Sequence, residues 1–292
     1  MSVRSCDANR VLLPRLGLGS GPLGDPALGD AEAARLVDAA LDLGVTLFDA
    51  APSYGAAEER LGRALAGRRA RAVLCTKLGY GVPGIPDWTP DCIAAGVDRA
   101  LARLRTDRVD LLVLHSCPLE VLERPGLVEA LTAARDAGKV RAVGYSGDGA
   151  PLEAALSDPR LDAFECSVNV LDQEALARLA APRPQRPLVL AKRPLANAPW
   201  REPAPPDAPD RRIYWERFRE LDVDPGAVAW DELFLRFAAF APGVDAALVG
   251  TSRVAGLERA AQCVARGPLP DELQEALRGW FGAHGARWHG VV

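Results

Sequence analysis

Short apolar runs recur along the chain about every 25 to 35 residues, roughly the length of one strand-plus-helix unit. Eight such runs occupy 16–20, 46–51, 72–77, 109–115, 140–146, 163–169, 188–194 and 246–251. Each is apolar nearly throughout, the pattern of parallel strands buried on both faces; polarity alternating along the runs would have pointed to a sandwich. Amphipathic stretches at 30–43, 56–66, 90–104, 127–137, 172–180, 227–241 and 254–265 lie between them and predict outer helices. Several open on Asp or Pro and close near Gly, as helix ends favour. The expectation is an α/β fold, a (β/α)8 barrel, built as a single domain over residues 1–292. Residues 10–14 read as part of an N-terminal β-hairpin plugging the barrel bottom.

An open doubly wound sheet is the competing architecture. It lacks its G-x-G-x-x-G turn here, because Pro22 interrupts the glycine-rich 16–24 segment where a phosphate-binding helix would begin. One stretch, 196–225, breaks the rhythm with prolines, charges, Trp200, Tyr214 and Trp215. It would follow strand seven on the C-terminal face and reads equally as a lid or as an ordered excursion.

Composition narrows the function. The chain of 292 residues is 49% hydrophobic and 25% charged, and no apolar run reaches membrane-spanning length. Its formal charge of −4 and scattered basic residues give no footprint for nucleic acid or a membrane surface, which leaves a small molecule as the expected partner. The first residues carry no secretion pattern, so a cytoplasmic location is expected. Six cysteines without a C-x-x-C pair fit reduced, buried thiols. His284 and His289 are five apart rather than four, and no metal site is expected. Only three of the 35 basic residues are lysines: Lys77, Lys139 and Lys192. Lysine differs from arginine in shifting its pKa readily when buried, which singles out Lys77.

Asp49, Tyr54, Lys77 and His115 fall at or just beyond the ends of strands two, three and four. Taken singly, each has a structural explanation: a turn cap, a packed ring, a solvated ammonium, a core histidine. Together they supply what carbonyl reduction needs. Hydride addition builds negative charge on oxygen, and a donor must protonate it as it forms. A free phenol titrates near 10, so a buried cation beside Tyr54 would bring its acidity closer to use. Lys77 is that cation, Asp49 compensates its charge, and His115 orients the carbonyl.

The segment Phe48-Asp-Ala-Ala-Pro-Ser-Tyr-Gly-Ala-Ala-Glu-Glu-Arg-Leu-Gly62 resembles the aldo-keto reductase signature D-x-A-x-x-Y-G-x-x-E-x-x-L-G. Blocks at 76–77, 109–115, 138–146, 169–173 and 250–253 match family segments in the same order. The resemblance implies NADPH as cofactor, NADH not being excluded, bound extended across the barrel mouth, with the tetrad Asp49, Tyr54, Lys77 and His115 intact. His115, where relatives reducing carbon–carbon double bonds carry glutamate, implies C=O reduction. Glu58 matches a family position and reads as a helix-supporting residue.

Carried over in the same way, cofactor contacts fall on Gly19, Ser20, Ser146, Gly147, Glu165, Lys192, Arg193, Pro194, Leu195, Gly250, Thr251, Ser252, Arg253 and Arg259. Two places depart from the family. The nicotinamide carboxamide is held there by a Ser-Asn pair and a Gln, where this chain has Ser146, Gly147 and Glu165; a carboxylate accepts from the amide but cannot donate to it. At the adenosine end a Glu-Asn pair is replaced by Arg259-Ala260, which leaves Arg253 or Arg259 to meet a 2′-phosphate. Tyr80 and Trp88, after strand three, are the expected substrate contacts. The implied activity is NADPH-dependent reduction of an aldehyde or ketone. The alternative is a cofactor-binding regulatory subunit with little turnover, similar to potassium-channel β subunits.

Overall fold

The computed structural model describes residues 11–181, 186–288 and 290–291. Eight strands, β1 (Leu16–Gly19), β2 (Leu47–Asp49), β3 (Val73–Leu78), β4 (Val109–His115), β5 (Val140–Ser146), β6 (Ala163–Ser167), β7 (Leu188–Lys192) and β8 (Ala246–Gly250), pair in parallel with their sequence neighbours. The β8–β1 pairing, Leu16 opposite Ala247 through Gly19 opposite Gly250, closes the barrel. All eight expected runs are strands.

Around them run α1 (Asp30–Asp42), α2 (Ala57–Ala64), α3 (Pro90–Leu104), α4 (Leu119–Leu122), α5 (Leu127–Asp136), α6 (Gly149–Ser157), α7 (Glu174–Leu179), α8 (Pro209–Arg219), α9 (Trp230–Ala239), α10 (Val254–Ala265) and α11 (Asp271–His284). Local chemistry sets several starts. Thr89 accepts the Cys92 N–H at 3.2 Å just before Pro90, and Glu32 accepts the Gly29 N–H at 3.2 Å.

Period-two alternation divides every strand between two cores. Leu47, Cys75, Leu111, Val113, Ala142, Ala163, Leu190, Ala246 and Leu248 fill the barrel interior. Phe48, Leu74, Leu112, Leu114, Val143, Phe164, Val189 and Val249 pack outward against the helices. Continuing the inner set upward by steps of two reaches Asp49, Lys77, His115, Ser146, Glu165 and Lys192, so the alternation that packs the barrel aims these polar groups at its C-terminal mouth.

One expectation changes. Residues 11–14 form no strand, and Arg10 lies outside the described residues, as do Cys6 and His289; the plugging hairpin is not found among the described residues. The 196–225 stretch is ordered, as one of its two readings has it. It contains α8, whose Tyr214 is buried and whose Phe218 packs with Trp200, Trp230 and Phe234, with ring centroids 5.1 to 6.3 Å from its own. Tyr214 donates to Asp172 at 3.1 Å, and Arg217 donates to the Leu171 carbonyl at 3.0 Å. These bonds fix the segment to the rim beyond β6. No helix among the described residues is long and apolar enough to cross a membrane.

Candidate active site

The tetrad is assembled by three adjacent strand ends. Asp49 ends β2, Lys77 lies one residue from the end of β3, and His115 ends β4. Tyr54 follows β2 in a turn held by two hydrogen bonds, Tyr54 N–H to the Ala51 carbonyl at 3.0 Å and Ala57 N–H to the Tyr54 carbonyl at 3.1 Å. A Cβ on Gly24 would lie 1.5 Å from the Tyr54 carbonyl oxygen, so this turn sits where only glycine allows it.

Lys77 is completely buried and donates to Asp49 Oδ1, and its Nζ lies 5.2 Å from the Tyr54 ring centroid. The Tyr54 and His115 rings meet edge to face at 6.0 Å. On the other side of His115, Tyr80 stacks at 5.6 Å, with its hydroxyl 2.8 Å from His115 Nδ1 and donating to Ser53 Oγ at 3.1 Å. Trp88 meets Tyr80 at 5.6 Å and leans on Gly79, where a Cβ would strike its ring at 1.8 Å. Tyr80 and Trp88 therefore form an aromatic wall beside His115.

Glu165 stands elsewhere than the carboxamide position alone would suggest. Its Oε2 is 3.1 Å from Lys77 Nζ, so one ammonium lies between two carboxylates. That oxygen has no well-aligned hydrogen bond among the described residues, although Glu165 is only 2% exposed. Asp49, Cys75 and Glu165 converge like metal ligands, but the Lys77 ammonium lies among them as the cation.

Burial dominates the electrostatics. It raises Asp49 to about 7, reinforced by the Glu165 charge and only partly opposed by Lys77. Burial also works against ionised Glu165, but Lys77 and Lys192 outweigh it and hold that carboxyl below its usual range. For Lys77, burial is outweighed by Asp49 and Glu165, which keep the ammonium firmly charged. Burial first, then Lys77, drives His115 down to about 4, so its imidazole is neutral at neutral pH. Tyr54 corrects an expectation: Lys77 does pull its pKa down, but burial is the larger effect and the net shift is upward.

The expected cofactor residues lie along the rim from β5 to α10. Lys192 pairs with Asp148 at 2.9 Å, and Asp148 also accepts the Ser167 N–H at 2.7 Å. Arg193 donates to the Val291 carbonyl, which also accepts from Ser167 Oγ at 3.2 Å. Pro194 is buried and Leu195 half-buried beside them. Ser20 is buried under the mouth, its N–H on the Asp49 carbonyl at 2.7 Å, and Gly19 pairs with Gly250 across the barrel seam. Ser146 is buried between His115 and Glu165, and a Cβ on the following Gly147 would meet the Tyr145 hydroxyl at 2.4 Å. Thr251, Ser252 and Arg253 lead into α10, with Arg253 exposed.

Arg259 is engaged elsewhere: it grips Asp231 with two bonds, at 2.9 and 3.2 Å. Asp148 and Ser167 were missed by sequence reasoning, although Ser167 continues the Ala163, Glu165 alternation into the mouth. Glu58 behaves as expected, accepting from Thr76 and Arg103, each at 2.6 Å, beneath the helix layer.

Backbone strain clusters at the same mouth. Among the described residues, seven non-glycine positions have positive φ, and all but Arg105 lie there: Trp88, Ser116, Arg193, Ala196, Asn197 and Ala198. Such conformations persist where surrounding structure enforces them, commonly at ligand sites.

A family model described as "Aldo/keto reductase family" matches residues 15–279. The chain belongs to that family. Among curated relatives it is 34% identical to an aldo-keto reductase of Bacillus subtilis over 149 residues, 45% of this chain and 43% of that protein. It is 38% identical to a 6-dehydroglucose reductase of Novosphingobium aromaticivorans over 129 residues, 40% of this chain and 41% of that protein. The chain thus spans less than half the length of these two family members. A solved aldo-keto reductase of Bacillus halodurans shares the fold with a TM-score of 0.81 at 23% identity, covering 96% of each chain.

Proposed function

We propose that this family member reduces an aldehyde or ketone with NADPH, and that Tyr54 donates the proton. The observation that carries the reading is the half-buried Tyr54 phenol at the mouth, 5.2 Å from a buried ammonium and edge-on to a neutral imidazole. When bound, the nicotinamide supplies the hydride. The residues fit such a group: Glu165 carries a buried oxygen with no well-aligned hydrogen bond among the described residues, the strand-seven end carries two cations, and the helix following Arg253 presents its N-terminal amides.

Each side chain then has one task. Neutral His115 orients the carbonyl by donating from Nε2, the Tyr80 hydroxyl then donating to Nδ1 in place of Ser53 Oγ. Tyr54 stays protonated at neutral pH because burial raises its pKa, and an alkoxide is basic enough to take its proton. Lys77 stabilises the phenolate left behind, and Asp49 holds Lys77 in place. Tyr80 and Trp88 form the wall the substrate meets. Lys192, Arg193, Gly250, Thr251, Ser252 and Arg253 line the phosphate side. Arg253 is assigned to the 2′-phosphate in preference to Arg259, which Asp231 already occupies.

The test is nicotinamide absorbance over time with NADPH and a panel of reactive aldehydes. Acceptor-dependent oxidation that is lost in Tyr54→Phe supports the reading. Activity retained in that variant refutes the proton donor, and tight cofactor binding without turnover on any acceptor favours a regulatory subunit.

A further inference from the structure

Two ammonium groups and three carboxylates are buried or nearly so around the mouth: Lys77, Lys192, Asp49, Asp148 and Glu165. Lys77 is hydrogen-bonded to Asp49, and Lys192 is paired with Asp148 at 2.9 Å. Glu165 shares Lys77 with Asp49, so three carboxylates face two ammonium groups. Its Oε2 is buried 3.1 Å from Lys77 Nζ, with no well-aligned hydrogen bond among the described residues. Two buried carboxylates sharing one ammonium leave a surplus of negative charge, which a cation arriving with a ligand would balance.

Position identifies that cation. Tyr54 and His115 mark where the carbonyl oxygen is held, and the cations at the end of β7 together with the N-terminus of α10 mark the phosphate side. A hydride donor must approach within about 3.5 Å of the carbonyl carbon. Spanning the two marks takes it over β5 and β6, whose paired inner residues are Ser146 and Glu165.

We propose that Glu165 is the counter-charge for the positive nicotinamide ring, so that the site binds the oxidised cofactor more tightly than the reduced one and stabilises the ring charge that grows as hydride leaves. The inference rests on the functional reading above and deepens it. A nicotinamide ring is neutral before hydride departure and cationic after it, so a fixed anion beside it lowers the barrier to carbonyl reduction and tightens the oxidised product. One surplus charge, partly screened by Lys77, corresponds to a preference on the order of tenfold.

The test is equilibrium titration calorimetry of NADP+ and NADPH at pH 8.5, where both Asp49 and Glu165 are ionised, with wild type, Glu165→Gln and Glu165→Asp. The expected result is tighter binding of NADP+ in wild type, loss of most of that preference in Glu165→Gln, and its retention in Glu165→Asp. A role limited to packing would weaken both forms equally in Glu165→Gln, and that result overturns the inference while leaving the functional reading intact. Should Glu165→Gln fail to fold, the wild-type ratio still decides, because equal affinities overturn the inference. Wild type that binds neither form overturns both readings together.

Discussion

Replacing Lys77 with Met keeps most of the buried stem and removes the charge that Asp49 and Glu165 share. Breaking a buried ion pair costs about 3–5 kcal/mol. Here the cost must depend on pH, because a stranded carboxylate can escape by taking a proton. In wild type, Asp49 already rises to about 7, whereas Lys77 holds Glu165 low. The variant reverses the Glu165 shift: its folded pKa moves above the unfolded value near 4.

A group so raised leaves the fold least penalised below pH 4, and the penalty grows as pH climbs through the folded pKa. Neutralising one ordinary carboxylate costs about 5.5 kcal/mol at pH 8 and about 1.5 kcal/mol at pH 5, which caps the penalty at each pH. Urea unfolding of both proteins followed by circular dichroism should therefore show a deficit of several kcal/mol at pH 8, shrinking by about 3–4 kcal/mol at pH 5. A deficit of the same size at both values would refute the two-carboxylate account of Lys77.

Two further predictions separate the site from its supports. Gly24→Ala places a methyl group against the Tyr54 carbonyl and should lower kcat at least tenfold while changing cofactor affinity little, checked by steady-state kinetics beside calorimetry. Arg103→Met removes a guanidinium from buried Glu58 and should destabilise the fold by about 3 kcal/mol in urea while leaving the KM for a carbonyl acceptor unchanged.

The strands were legible because burial on both faces leaves nearly unbroken apolar runs, and β4 and β5 fall on their expected residues. The convergence of Asp49, Lys77 and His115 was legible for a related reason: polar side chains closing such runs have only the mouth to face. Helices without a clean stripe were harder to read. In α8, buried Tyr214 and half-buried Phe218 sit amid four arginines, a glutamate and an aspartate, so its pattern reads as a charged loop. The short α6 opens on Gly149 and Pro151, which mimic a turn. Glu165 carried the right face in its period-two spacing, but its neighbour Lys77 comes from β3, three strands away, and only closure of the barrel brings them together. The upward shift of Tyr54 was hidden for the same reason, since burial depends on the assembled mouth.

Whether Tyr54 delivers the proton is read from a single turnover. Wild type and Tyr54→Phe, each saturated with NADPH, are mixed with a reactive aldehyde in a stopped-flow instrument while cofactor absorbance is followed. A proton-donating Tyr54 gives equal cofactor affinity in the two proteins and a turnover step slowed about 10²- to 10⁴-fold in the variant. Equal rates with equal binding would contradict it.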